Sequence, residues 1–301
     1  MNKPHLHWKD TFVSNDISTF KPTDGVPDFL RKMSTGASFG NIDASDLKPP
    51  RLKVLAGQSP EVLDGVPGAL PGNFWVTILN QNLGPSVVGS PILLRKSYQV
   101  WAPKTPGSEQ KGPLATASDG INWDVPNQTF EVKFYGNPRT YTWKLGRTVF
   151  ETGAHRFGSQ QDDDPKSKPI AALTYDVLWL IDLPNGQKQL VVFTAKSTGI
   201  KNTQTFISTT QSKEGIDQFY QRYRIVVQKK TGPTGDPYFT FDYQFVDLIE
   251  NEDQAKRMRA IYDQYAKSGF VADATDHDDM PARKAAPNDA AGRDDDDSIP
   301  F

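Results

Sequence analysis

The sequence predicts a mainly β protein: an antiparallel barrel or sandwich core, followed by one C-terminal helix and a disordered acidic tail. Three observations predict it. Between residues 51 and 247, apolar and polar residues alternate with period two in runs rich in β-branched and aromatic side chains, the pattern of a pleated sheet with a buried face. The runs are separated by Gly, Pro, Asn and Asp, the turn chemistry of hairpins. One segment of helical period follows, and then an Ala-, Asp- and Pro-rich stretch that cannot bury a core.

Taken in order, residues 1–50 are polar and rich in Gly, Ser, Thr, Pro and Asp, and read as a loosely ordered arm with one short helix-like patch at 27–33. Residues 51–250 form the β-rich core. Strands are predicted at 74–79, 91–101, 129–135, 140–145, 171–181, 189–195, 222–229 and 238–246. Gly136-Asn137-Pro138, Asn185-Gly186 and the Gly/Pro-rich stretch 231–237 join pairs of them as hairpins. Residues 199–213 read as a polar helix crossing between strands. Residues 251–269 form the clearest helix: Asn251 caps it, Gln254 stands three residues on, and Met258, Ile261, Tyr262 and Tyr265 make an i, i+3, i+4, i+7 stripe. Gly269 sits where a left-handed terminating residue is wanted. Residues 270–301 are the tail.

Composition narrows the function classes. The chain contains no cysteine, so disulfides and thiolate zinc sites are excluded. It has no apolar run long enough to span a bilayer and no apolar leader near Met1, which predicts an intracellular protein without a membrane partner. The net charge of -2 is uneven: residues 271–301 hold nine Asp against Arg283, Lys284 and Arg293, a net of -6, which leaves +4 on the rest. A mildly basic body attracts polyanions, and a flexible acidic tail competes for the same surface.

Enzymatic signals are weak, and no enzyme activity, cofactor or metal is predicted. The chain has no G-x-x-x-x-G-K-[ST] phosphate loop, G-x-S-x-G elbow or H-E-x-x-H pair, and its histidines, His5, His7, His155 and His277, are scattered. Asp162-Asp163-Asp164 reads as an exposed loop, because adjacent carboxylates without further fixed ligands rarely hold a metal.

Binding single strands without reading their sequence calls for cations along the phosphates and aromatic faces under the bases. The densest interleaving runs from Lys133 to Arg147. If Gly136 to Pro138 turns, Lys133 and Tyr135 project from one strand and Arg139, Tyr141 and Trp143 from the next, with Phe130, Val132 and Phe134 behind them as core; Lys144 and Arg147 add charge. Periodicity equally allows Tyr141 and Trp143 to be core. A second group is Arg95, Lys96, Trp101 and Lys104, leading into a Gly/Ser/Lys-containing loop at 105–111. A third, Arg222, Arg224 and Gln228 alternating with Tyr223, Ile225 and Val227, reads as structural, since Phe239, Phe241, Tyr243 and Phe245 in the next strand alternate as strictly as a buried face does.

The last eight residues are the most specific signal. Asp294, Asp295, Asp296 and Asp297 lead through Ser298 into Ile299, Pro300 and Phe301, an acidic run with an apolar tip. Solubility alone does not call for that tip. A benzyl ring beside a main-chain carboxylate fits an apolar pocket with a basic rim. The segment resembles the tail tip of bacterial single-stranded DNA-binding proteins, which ends in acidic residues and then Ile-Pro-Phe; Ser298 is the departure. The body resembles the replication and recombination proteins that bacteriophages encode for themselves, and the stretch 122–157 is similar to uncharacterised phage proteins. The resemblance implies a phage single-stranded DNA-binding protein whose barrel or sandwich core is OB-fold-like. It would act in DNA replication, recombination and repair in the host cytoplasm, with Asp294, Asp295, Asp296, Asp297, Ile299, Pro300 and Phe301 recruiting replication or recombination enzymes. Homo-oligomerisation is left open. Two alternatives stand beside it: a strand-annealing recombination protein, and a β-sandwich interaction or virion protein whose tail mimics the host tip.

Overall fold

The structure is a computed structural model that describes residues 49–103, 112–211, 215–232, 235, 237–268 and 270. The predicted N-terminal arm, apart from its last two residues, and the acidic tail after Phe270 lie outside them.

The protein is mainly β, a curled half-barrel sheet with a C-terminal helix. In chain order the elements are β1 (Arg51–Val54), α1 (Pro60–Leu63), β2 (Phe74–Val76), β3 (Gln81–Gly84), β4 (Ser86–Val100), β5 (Ala115–Ala117), β6 (Thr129–Lys133), β7 (Thr140–Lys144), β8 (Ala171–Asp182), β9 (Lys188–Lys196), α2 (Gly199–Gln211), a 3-10 turn (Gln218–Tyr220), β10 (Gln221–Thr231), β11 (Pro237–Leu248) and α3 (Glu252–Ser268). The large sheet runs β11-β10-β4-β8-β9-β1-β2-β3, with β5 beside the far end of β4, while β6 and β7 form a separate hairpin. Every pairing in the large sheet is antiparallel except β1 with β9.

The curl follows from ring contacts across the sheet. Flat, β9 and β11 would stand about 19 Å apart, four strand spacings. Instead Phe193 of β9 meets Phe241 of β11 at 4.6 Å between ring centroids, and Trp179 of β8 lies parallel to Tyr243 of β11 at 6.0 Å. The ends of the sheet also approach each other: a Cβ on Gly72, just before β2, would stand 2.7 Å from the Phe239 ring. Gly72 has φ +83°, so the position is closed to other residues on both counts.

Helix α2 fills the concave side. Phe206 lies 4.3 Å from Tyr243, 4.9 Å from Tyr223 and 5.8 Å from Trp179. Its many hydroxyls return to the helix's own carbonyls: Thr203 to Gly199, Thr205 to Lys201, Ser208 to Gln204, Thr209 to Thr205 and Thr210 to Phe206. Thr203 and Thr210 also reach the hydroxyls of Tyr243 and Tyr223, so these buried polar groups are satisfied. Helix α3 covers the convex side. Asn251 accepts the Gln254 N–H at 3.0 Å, as an N-cap should, and Met258 and Tyr265 are buried against Ile92, Leu178, Val192 and Phe219. Strand β8 therefore has core on both faces: Val177, Trp179 and Ile181 on the concave side, Leu178 and Leu180 on the convex.

A second core lies beyond the ends of β4 and β8, where Tyr98, Val100 and Ala171 meet β5, the β6–β7 hairpin and the turn-rich segment 146–170. The Asn185-Gly186 hairpin closes between β8 and β9, with Leu183 and Gln187 bonded across it and Gly186 at φ +80°. The predicted strand 74–79 ends at Val76. Residues 77–80 turn, with Asn80 at φ +47°, and leave Ile78 and Leu79 exposed.

Candidate functional site

The β6–β7 hairpin carries the densest interleaving of cations and rings, and its register settles which side chains face outward. Phe130 stands opposite Trp143 and Val132 opposite Tyr141, so an even-numbered residue on β6 faces an odd-numbered one on β7. Directly opposed residues of an antiparallel pair project to the same side. Tyr141 and Trp143 thus join Phe130, Val132 and Phe134 in the core, at 4 % and 1 % exposure, and neither offers a ring to a base. The expectation that they stack on DNA is corrected. The indole N–H of Trp143 donates to the Gln160 carbonyl at 2.9 Å, and Phe134 meets both rings edge-on. The outer face carries Thr129, Glu131, Lys133, Thr140, Thr142 and Lys144.

At the hairpin tip Tyr135 is 75 % exposed. Arg139 beside it is engaged: its guanidinium pairs with Asp162 at 2.6 Å and Asp163 at 2.8 Å and lies 4.9 Å from the Tyr141 ring centroid. The hydrogen bond to Asp163, with the charges of both carboxylates, raises the Arg139 pKa against a small opposing effect of burial. For Asp163 partial burial pushes the pKa up, but hydrogen bonds from its own backbone, Arg139 and Tyr141 outweigh it and hold the carboxyl below its ordinary value. Two carboxylates thus face one guanidinium at this corner.

The second predicted group is divided by the pleat of β4. Arg95 lies on the α3 side, its guanidinium 5.0 Å from the Phe270 ring and donating to the Phe270 carbonyl at 3.3 Å. Lys96 lies on the other side and is exposed, with its ammonium 5.2 Å from the Tyr98 ring and 6.0 Å from that of Phe150. Trp101 is half-buried, its N–H directed to the Gln99 side chain at 3.2 Å. Lys104 lies outside the described residues, as do Asp294, Asp295, Asp296, Asp297, Ile299, Pro300 and Phe301. Arg147 is exposed at the start of the segment 146–170.

Around Lys96 the structure assembles a group that alternation does not reveal. Strand β4 pairs with β10 at residues 86–89 and with β5 at 98–100; between them, among the described residues, no strand pairs with that edge, and Gln218, which donates to the Ile92 carbonyl at 3.3 Å, and the turn at Gly120 lie against it. An open cleft of about 390 Å³ lies there, lined by Leu94, Arg95, Lys96, Ser118 and Asp119. Phe150 stands 6.0 Å from the Lys96 ammonium, 44 % exposed, 6.0 Å from Tyr98 and 4.9 Å from His155, edge-on to both. Arg147 and Arg156, both exposed, flank this turn. The nearby carboxylates fold onto backbone. Glu151 accepts the Arg147 N–H at 2.6 Å, and Asp119 accepts from the Ile121 and Asn122 backbones and the Asn122 side chain. Burial, the largest single influence, pushes the Asp119 pKa up, but those three bonds together with one from its own backbone carry it below the ordinary value. The signal in the sequence was Arg147-Thr148-Val149-Phe150 and His155-Arg156-Phe157, cations beside rings with turn residues between.

The third group is structural at its centre. Phe241 is buried and Tyr243 packs on Phe206, whereas Phe245 at the end of the row is exposed. Burial, more than the bond to Thr203 opposes it, pushes the Tyr243 pKa well up. Arg222 bridges Asp182 at 2.7 Å and Asp247 at 2.9 Å, and Lys188 joins Asp182 at 2.6 Å. Among the described residues no group of three or more histidines and carboxylates could hold a metal ion, and no helix is long and apolar enough to cross a membrane.

No curated protein and no solved structure matches the chain. A family does: Pam3 phage gp34-like protein, over residues 18–270. That span takes in the curled sheet, both covering helices and the Lys96–Phe150 group, and the chain therefore belongs to the Pam3 phage gp34-like family, a family of bacteriophage proteins.

Proposed function

We propose that this phage protein binds single-stranded DNA without sequence preference and brings replication or recombination enzymes to it through its tail, in the cytoplasm of the host. The observation that carries the reading is the run Asp294 to Asp297 followed, after Ser298, by Ile299, Pro300 and Phe301, which resembles the partner-binding tip of bacterial single-stranded DNA-binding proteins apart from that serine. The charge division, -6 on residues 271–301 and +4 on the rest, supports it, as do the exposed Lys96, Lys133, Lys144 and Arg147.

The test is fluorescence anisotropy of a labelled oligo-dT across a salt series. Four of the five described tryptophans, Trp75, Trp123, Trp143 and Trp179, are buried, so intrinsic fluorescence is the poorer probe. If about four to six phosphates are neutralised, log K falls with a slope of roughly -3 to -4 against log salt. No binding at about 50 mM salt, or a flat response, overturns the proposal. A second reading, an interaction or virion protein that borrows a host pocket, is favoured by Phe245, Val246 and Leu248 exposed on β11, the end strand of the sheet. Capture of replication proteins by the tail without DNA binding by the body selects it. Annealing of complementary oligonucleotides by the bound protein selects the strand-annealing variant.

A further inference from the structure

We infer that Phe150 is the base-stacking platform of this protein and Lys96, on the cleft beside β4, its adjoining phosphate contact; the inference rests on the single-stranded DNA reading. Non-specific single-strand binding needs an aromatic ring that is accessible, held in place and bordered by positive charge. The aromatic residues chosen from the sequence fail one or more of these conditions. Tyr141 and Trp143 are inaccessible, and Trp101 is half-buried. Tyr135 is accessible but shares the hairpin tip with Asp162 and Asp163, whose two charges outnumber that of Arg139.

Phe150 meets all three. It is 44 % exposed, and Tyr98 and His155 brace its ring edge-on from two sides, so little rotamer freedom remains to be lost when a base arrives. The Lys96 ammonium lies 6.0 Å from its centroid, and the exposed Arg147 and Arg156 flank it in the chain. The two neighbouring carboxylates, Asp119 and Glu151, are turned onto backbone N–H groups. The cleft of about 390 Å³ beside Lys96 leaves room for a phosphate next to the ring. The occupant that fits is an anionic chain with aromatic faces.

The experiment uses the full chain with labelled oligo-dT and four variants, Phe150→Ala, Phe150→Tyr, Lys96→Gln and Lys144→Gln, each checked by thermal melting. Phe150→Ala is expected to weaken binding by about 5- to 150-fold and Phe150→Tyr to bind like the wild type. Lys96→Gln is expected to make the salt slope shallower by about 0.7, one phosphate contact. Ultraviolet crosslinking of the wild type to oligo-dT, independent of any effect of substitution on folding, should place the crosslink in the tryptic peptide that contains Phe150. Wild-type affinity in both Phe150→Ala and Lys96→Gln overturns the inference and leaves DNA binding standing. So does a crosslink confined to the β6–β7 hairpin with affinity lost in Lys144→Gln. No binding by the wild type overturns both.

Discussion

Trp143 is held by three things at once: the Phe130 ring opposite it, the Phe134 ring edge-on to it, and the hydrogen bond from its indole N–H to the Gln160 carbonyl. Trp143→Ala opens a cavity in the second core and is expected to cost about 3–5 kcal/mol, read as a lowered denaturation midpoint. Trp143→Phe keeps much of the volume but leaves Gln160 without its donor and should cost less. A Trp143→Ala protein that melts like the wild type would show that the ring does not carry the hairpin's packing. Alternation in the hairpin was legible in the sequence, because β-branched and aromatic residues recur every second position. Which alternate set faces inward was not, since that depends on the parity of the turn at Gly136, and one residue more or less exchanges the faces. Lys96 and Arg147 were legible as cations, but the partnership of Lys96 with Phe150 was not: segment 146–170 has no period, and only tertiary packing carries the Phe150 ring to Lys96.

Elements with strong periodicity came through with their bounds nearly intact. Strands β8, β9, β10 and β11 and helix α3 lie within one or two residues of the predicted spans, because burying a face demands the period that the sequence displays. Strands β1, β3 and β5 were missed, since Arg51-Leu52-Lys53-Val54, Gln81-Asn82-Leu83-Gly84 and Ala115-Thr116-Ala117 are short and contain few strand-forming residues. The packing of α2 into the curl yields a sharp test at Gly199, where a Cβ would stand 2.5 Å from the Phe241 ring. Gly199→Ala gains helix propensity but must displace that ring, and a net loss of about 1–3 kcal/mol is expected by urea denaturation. A stabilised variant would mean that α2 does not seat against β11. The ion-pair chain Lys188–Asp182–Arg222–Asp247, which ties β9, β8, β10 and β11, predicts the acid response. Burial alone would raise the Asp182 pKa, but Lys188 and Arg222 outweigh it and hold the carboxyl below its ordinary value. The unfolded chain therefore takes up this proton first. The stabilisation is complete above the ordinary carboxylate range and is lost as pH falls through the native value, below about pH 4. Asp182→Asn should be less stable at neutral pH and lose less on acidification, measured as denaturation midpoint against pH; an identical acid slope would remove Asp182 from the account.

At the scale of the whole molecule, the charge division sets what the tail does to the body. Deleting residues 271–301 removes a net -6 and leaves a body of +4. Folding should be unaffected, because the apolar stripe of α3 is already packed before Phe270. Affinity for oligo-dT should rise modestly at low salt and return to the wild-type value at high salt, where screening silences both contributions. Weaker binding on deletion would show that the tail assists the DNA contact. Phe301 separates recruitment from that electrostatic role. Phe301→Ala empties the proposed pocket on the partner but keeps all nine Asp of the tail, so affinity for DNA should not change while capture of replication and recombination proteins from host lysate falls. Replacing Asp294, Asp295, Asp296 and Asp297 together by Asn should do both: weaken capture, most at low salt, and tighten DNA binding. The two variants thus move DNA affinity differently while both reduce capture, a pattern that a tail serving only solubility does not produce. If wild type and Phe301→Ala retain the same host proteins equally, the apolar tip has no partner and the recruitment half of the proposal falls, whatever the body does with DNA.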